Sequence, residues 1–354
     1  MAYPTVVMDS TVRRAVRTIE ASWSTPQLLD ALLLSLKGEG PALSTAPIAA
    51  TEVDPKVSLI VTTSGSTGNP KSVLLTTSAL LASTRATHKY LSATIGQRWS
   101  LLLPTNHIAG LNVLVRSIEL GTTPVGVEST ADYTAIVPTQ LHRALNGDEI
   151  LFNHLKKCTA VLVGGGPLDV NLHHQATIAG INVIATYGMT ETCGGLIYNG
   201  TPLAGVEVEI RNQHIALRGP QLALGYLDAP LTREDGWFIT NDLGEIEDGK
   251  VKILGRADDQ IISGGEKISL SAVESFLQAE FQTLEIVAFA QSDAEWGQRL
   301  CIATTLDLEI DSLRNKLKEK FGAHTSPKQL VKLEAIPYLG IGKPDRRKLA
   351  DDHT

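Results

Sequence analysis

From Val57 onward the chain alternates short β-branched runs with helical stretches, and that alternation constrains its fold more than any other feature. Val57–Thr62 (VSLIVT), Trp99–Leu103, Ala160–Val163 and Asn182–Thr186 read as strands. Ser78–Ser92, Ala109–Leu120, Thr139–Asn146 and Leu168–Ala179 read as helices. Apolar strands linked by helical crossovers imply a largely parallel sheet covered by helices. Between Gly205 and Arg256 the strands become short and alternating, with turns at Asn212-Gln213 and Asp248-Gly249. After Arg256 comes an α+β stretch: helix Ser271–Ala279, strands near Leu284–Ala290 and Cys301–Leu306, helix Asp311–Phe321. The expected fold class is α/β. A large N-terminal domain (residues 1–256) holds mostly parallel sheets plus a small antiparallel β region, and a small α+β C-terminal domain (257–354) follows. Before Val57, Val12–Ala21 and Leu28–Leu36 read as short helices and Gly38–Ala50 as a connector.

Composition narrows the function. Lys and Arg number 31 against 38 Asp and Glu, a net charge of −7 over 354 residues. That balance argues against nucleic acid or an anionic membrane as the main partner. Cys158, Cys193 and Cys301 are odd in number and widely spaced, which makes neither a disulfide framework nor a zinc pattern. No apolar run reaches the roughly 18 residues of a membrane span, and Met1–Glu20 lacks the core of a secretory signal. The expected location is the cytoplasm, with no membrane insertion.

Six short segments carry the chemistry. Thr62–Lys71 (TTSGSTGNPK) follows a buried strand and is rich in N–H and O–H donors, as suits a phosphate cradle or a polar turn. It is not a Walker A loop. Pro70 stands where that pattern needs its second glycine, and proline has no N–H to give. Tyr187–Thr192 (YGMTET) also ends a strand, where ligands of open α/β sheets gather. Glu191 there could hold Mg²⁺, or Thr190 and Glu191 could cap a helix. Gly164–Pro167 (GGGP) would let a flat ring approach the backbone, or make an ordinary turn. Asp242 in TNDLG is a candidate ribose clamp or a surface-turn acid. Ile253–Lys267 (ILGRADDQIISGGEK) is a charged boundary or a linker, and GIGKPDRRK holds Lys343 between Gly342 and Pro344.

Taken in order, TSGSTGNPK, GGGP, YGMTE, TNDLG, GRADD and GKPDRR resemble the motifs of the acyl-adenylating superfamily of acyl-CoA synthetases, luciferases and adenylation domains. The resemblance runs from about Val57 to Lys348. It implies activation of a carboxylate by MgATP to an acyl-adenylate, then displacement of AMP by a thiol, often coenzyme A. It places Thr63, Ser64, Gly65, Ser66, Thr67, Gly68 and Lys71 over the β- and γ-phosphates. Gly164, Gly165 and Gly166 would wall the adenine and acyl pocket with Tyr187, Gly188 and Met189. Thr190 would meet the α-phosphate, Glu191 the Mg²⁺, and Asp242 the ribose with Arg256 nearby. Asp258 falls at the hinge, and Lys343 matches the lysine that the mobile domain inserts for adenylation.

Within that family, Leu103–Ser117 (LPTNHIAGLNVLVRS) looks most like the o-succinylbenzoate–CoA ligases of menaquinone biosynthesis. His107 would gate the acyl pocket, and Arg116 would meet the aromatic carboxylate of a two-carboxylate acid as a bidentate fork. A core histidine and a surface arginine are the bland alternatives for these two. Other readings are a CoA ligase for another aryl or short acid, an adenylation domain loading a carrier protein, and an inactive nucleotide-binding module. About 60 residues precede the TSGSTG loop, fewer than in many relatives, so partner-chain strands in a homo-oligomer are expected to complete the first subdomain.

Overall fold

The first strand is anchored by an arginine. In the computed structural model, which describes residues 13–64, 70–339 and 344–353, β1 (Arg14–Thr18) buries Arg14. Its guanidinium donates to the carbonyl oxygens of Ser35, Gly40 and Val57. Those charge-assisted bonds replace the water that burial removes. The segment expected to be a helix is therefore a strand. Helix α1 (Thr25–Lys37) follows and stops at Gly38, whose φ of 77° admits the left-handed turn. Next come β2 (Ala42–Ser44), inside the expected connector, then β3 (Glu52–Val53), β4 (Val57–Ser64) and β5 (Pro70–Thr76).

These strands and the later segment Gly225–Tyr226 form one six-stranded sheet in the order Gly225–Tyr226, β5, β4, β2, β1, β3. It is mixed rather than mostly parallel. Pairs β1·β2 and β2·β4 are parallel, while β1·β3, β4·β5 and β5 with Gly225–Tyr226 are antiparallel. The glycine- and hydroxyl-rich segment thus joins a hairpin, not a strand to a helix.

Helix α2 (Thr77–Leu91), β6 (Trp99–Ser100), α3 (Ile108–Glu119), β7 (Tyr133–Ile136), α4 (Pro138–Leu145), α5 (Glu149–Lys157), β8 (Ala160–Val163), α6 (Val170–Ile178), β9 (Val183–Met189), β10 (Gly194–Tyr198) and β11 (Thr201–Pro202) build the second sheet and its cover. The order is β11-β10-β9-β8-β7-β6, parallel from β6 to β9 as expected and antiparallel beyond. Helices α1 to α3 lie between the two sheets. Leu32, Leu80 and Leu111 share one core with Leu59 and Val73 of the first sheet and Leu196 of the second. Helices α4 to α6 cover the other face through Leu141, Leu155 and Ala176.

A third, antiparallel sheet comprises β12 (Glu207–Arg211) and β13 (His214–Arg218), then, after β14 (Gly225–Tyr226) of the first sheet, β15 (Phe238–Glu247) and β16 (Lys250–Arg256). Its order β12-β13-β15-β16 matches the expected small β region. Beyond it β17 (Gln260–Ser263), β18 (Glu266–Ser269), α7 (Leu270–Glu280), β19 (Ile286–Asp293), β20 (Gly297–Thr304), α8 (Ile310–Phe321), β21 (Gln329–Lys332) and α9 (Arg346–Asp352) form the last sheet and its helices. Their two core clusters start at Ile261, and no cluster among the described residues contains buried residues from both sides of Arg256.

Candidate active site

The carboxyl ends of β8 and β9 meet where backbone, rather than side chains, makes the wall. A Cβ on Gly164 would lie 2.3 Å from Thr186 Oγ1, and one on Gly188 would lie 2.0 Å from the carbonyl oxygen of Gly194. Both glycines are required by close approach. Gly165 has φ +81°, and Gly166 faces open space. Between the glycines, the half-buried Tyr187 donates its hydroxyl to Asp242 Oδ2 at 2.6 Å. Burial, then the Asp242 charge, pushes that phenol up and keeps it a donor.

Asp242 lies inside β15 rather than at a strand end, opposite Arg256, the last residue of β16. Arg256 Nη1 lies 3.4 Å from Asp242 Oδ1, while Arg256 Nε and Nη2 each donate to Asp258 at 2.7 Å. Side chains of the expected ribose clamp and the expected hinge are thus joined through one guanidinium.

Beside this lies a short 3₁₀ turn, Thr190–Thr192. Thr192 Oγ1 accepts the Met189 N–H at 2.9 Å, which fixes the turn. Thr190 and Glu191 are half-buried. Glu191 Oε1 accepts from the Tyr226 hydroxyl at 3.0 Å, and its backbone oxygen accepts from the Ala223 N–H at 2.8 Å. Lys71 Nζ stands 5.4 Å from the centroid of the Tyr226 ring. Thr63 Oγ1 donates to the Lys71 carbonyl at 3.3 Å across the hairpin. Gly65, Ser66, Thr67, Gly68 and Lys343 lie outside the described residues, as does the Ser64 side chain.

The chain belongs to the AMP-binding enzyme family. Residues 6–227 match it. A protein of Mycobacterium tuberculosis named as a probable 2-succinylbenzoate–CoA ligase is 36% identical over 372 residues, covering 94% of this chain and 96% of that one. The structure of Escherichia coli MenE with a bound m-phenylether-linked analogue of OSB-AMS superposes with a TM-score of 0.68 at 27% identity, covering 94% of this chain and 81% of that one. The Bacillus subtilis o-succinylbenzoate coenzyme A synthetase, in complex with ATP and magnesium ion, shares the fold: TM-score 0.72, 24% identity, 95% and 84% covered.

The two residues expected to meet the acid, His107 and Arg116, belong to α3 and its N-terminal boundary. His107 caps α3 at its N-terminus, and Arg116 lies nine residues on, about 13 Å down the helix axis. Gly110 lets the preceding loop cross the helix, because a Cβ there would be 2.3 Å from the Pro104 oxygen. Arg116 is only 4% exposed. It stacks 4.8 Å from the Trp99 ring centroid and makes long contacts to Tyr198 OH (3.4 Å) and Thr87 Oγ1 (3.5 Å). Among the described residues no carboxylate lies within ion-pair distance of it, and its Nε has no partner. Thr84 Oγ1, His88 Nε2, Trp99 Nε1, Asn112 Oδ1 and Ser117 Oγ, around the same α2–α3 interface, are likewise buried and unpartnered among those residues. Arg Nε and Trp Nε1 can only donate, so an acceptor is what they lack.

Sequence reading missed Tyr226 and His88. A Gly-Tyr pair between two turn segments was the only trace of the first. The second lay in an unremarkable amphipathic helix. Burial, then Arg116, with Glu119 opposing, pushes the His88 imidazole down to about 4 from an ordinary 6.5. The unfolded chain takes up this proton below pH 6.5 and the folded chain does not until about pH 4. Stability is therefore lost as pH falls through that window, by about 2 kcal/mol between pH 6.5 and 5. Urea unfolding at pH 7, 6 and 5 should show this slope in the wild type and a flatter one in His88→Gln. Coincident slopes would assign the proton elsewhere.

Proposed function

We propose that this chain is an AMP-forming acid–CoA ligase that converts 2-succinylbenzoate, ATP and CoA to 2-succinylbenzoyl-CoA, AMP and pyrophosphate, a step of menaquinone biosynthesis. The observation that carries the choice of acid is Arg116. A buried guanidinium without an acid, beyond the gate position His107, suits a substrate whose second carboxylate arrives desolvated.

Each residue has a derivable task. Asp242 accepts the ribose hydroxyls, exchanging part of its bonding to Tyr187 and Arg256 for them. Gly164, Gly165, Gly166, Tyr187, Gly188 and Met189 bound the adenine and the acid. Ser64 to Gly68 with Thr63 and Lys71 cover the outer phosphates. Thr190 donates to the α-phosphate. One oxygen of Glu191 is held by Tyr226, and the other is suited to a hard cation that also takes phosphate oxygens. Mg²⁺ supplies charge neutralisation of the phosphates when bound there. The acid's succinyl carboxylate oxygen bonds to the α-phosphorus as the bond to pyrophosphate breaks. The CoA sulfur, losing its proton, then bonds to the acyl carbon as AMP leaves.

Residues 1–256 and 257–354 are the two working units, and Asp258 is the hinge between them. The separate cores on either side of Arg256 support that division. Lys343, carried by the second unit, enters for the first step only. Among the described residues no helix is long and apolar enough to cross a membrane, and we place the reaction in the cytoplasm.

The test is a balance sheet of products. With ATP, Mg²⁺, 2-succinylbenzoate and CoA, AMP and thioester should form one to one. Benzoate, fatty acids and amino acids should give far less AMP. Adenylate that forms but never passes to free CoA would instead indicate a carrier-loading domain.

A further inference from the structure

Tyr226 touches Glu191 from a segment distant from it in the sequence. It belongs to β14, whose Gly225 and Tyr226 pair with Leu74 and Val73 of β5. The Leu227 N–H donates to the Ser72 carbonyl at 2.8 Å, and the Tyr226 N–H to the Ala229 carbonyl at 2.7 Å. Gly225 is needed for this tight return, since a Cβ there would sit 3.1 Å from the Ala229 oxygen. The tyrosine is therefore mounted beside β5, the strand that leaves the phosphate loop, and its hydroxyl reaches the Glu191 carboxylate in the 3₁₀ turn between β9 and β10. From above, the Ala223 N–H holds the Glu191 backbone. Side chain and main chain of Glu191 are both fixed from the 223–226 segment.

The type of donor matters. A lysine or arginine here would neutralise the carboxylate and compete with a cation. A phenol orients one oxygen without cancelling the charge, and leaves the second oxygen open. The ring of the same residue is the surface over which Lys71 rests. We propose that Tyr226 is a positioning residue for the divalent cation, its hydroxyl holding Glu191 with one oxygen presented to the metal while its ring holds Lys71 beside it. This rests on the assignment of Mg²⁺ to Glu191 made above.

Calorimetric titration of the full chain with ATP, with Mg²⁺ and in EDTA, separates the possibilities. In Tyr226→Phe the gain in ATP affinity that Mg²⁺ brings should shrink about tenfold, the lower range for losing a partner of a metal ligand. Its affinity in EDTA should stay within about twofold of wild type, because the ring remains. Tyr226→Leu should lose the same Mg²⁺-dependent gain and also bind ATP more weakly in EDTA, since Lys71 has lost its platform. In pyrophosphate exchange, the Mg²⁺ concentration for half-maximal rate should rise in parallel, with kcat at saturating Mg²⁺ little changed. An unaltered Mg²⁺-dependent gain in Tyr226→Phe overturns the proposal, and so does an equal loss with and without Mg²⁺. Glu191→Gln tells the two failures apart. If it also keeps the full gain, the assignment of Mg²⁺ to Glu191 is what falls. If it loses the gain while Tyr226→Phe does not, the positioning role alone falls.

Discussion

Lys343→Ala should abolish acyl-adenylate formation and leave thioester formation nearly intact. Attack on the α-phosphorus concentrates negative charge on a five-coordinate centre, and a positioned cation offsets it. Losing one such donor typically lowers the rate by about 10²–10³, or about 3–4 kcal/mol. The segment that follows Lys343 is tied to residues beyond Arg256. Asp345 caps α9, and Arg346 bridges Asp259 at 2.9 Å and Glu274 at 2.8 Å. A small side chain at 343 thus removes the charge without releasing the helix that follows. Pyrophosphate exchange measures the first step. Preformed adenylate mixed with CoA measures the second, and there the variant should match wild type if, as proposed, the second unit turns about Asp258 between the two steps. Equal losses in both assays from a folded variant would refute the idea of one pocket serving two orientations.

Arg116→Leu should cut kcat/KM for 2-succinylbenzoate by roughly 10- to 200-fold, from the 1.5–3 kcal/mol of a charge-assisted hydrogen bond. ATP affinity should not change, since Arg116 contacts Thr87, Tyr198 and Trp99 and none of the nucleotide-facing residues. An analogue with hydrogen in place of the aromatic carboxylate should be a poor substrate of the wild type and lose little more in the variant, which closes a double-mutant cycle on the pair. The unliganded variant should melt no lower than wild type, because an acid-free buried cation is replaced by an apolar chain. Wild-type turnover of 2-succinylbenzoate by the variant would remove Arg116 as the partner of the second carboxylate, and with it the best single-residue support for this acid, while leaving the acid–CoA ligase reading in place.

How much of this was legible depends on where each signal lies. Gly164, Tyr187 and Gly188 stand at strand ends and Asp242 inside β15, all within short glycine- or hydroxyl-rich segments, so local chemistry announced them as candidates. Arg116 was visible as a charge among Val113, Leu114 and Val115. The Val12–Ala21 segment misled because its buried member is Arg14, held by carbonyls from α1, its exit loop and β4 that no local pattern predicts. The hairpin of β4 and β5 was hidden for a related reason: a strand that opens with Pro70 and carries Lys71 and Ser72 looks like loop until its partner is known. Strands β7 and helix α5 were passed over as short segments whose identity comes from packing. Tyr226, His88 and the unpartnered atoms around α2 and α3 emerge only when distant segments meet.

The backbone wall at Gly188, Gly194 and Gly195 bears on how acid preference can diverge. Side chains cannot be added there without colliding with the Gly194 oxygen, Asn112 or Tyr198. If the acid lies against this wall, as proposed for Gly188, that side of its pocket is closed to added side chains. Innovation in substrate range must come from the helical side, through Thr84, Thr87, His88, Asn112 and Arg116. A library restricted to those five positions, set beside one at Gly188, Gly194 and Gly195, would test this, with folded yield and acid preference as the readouts.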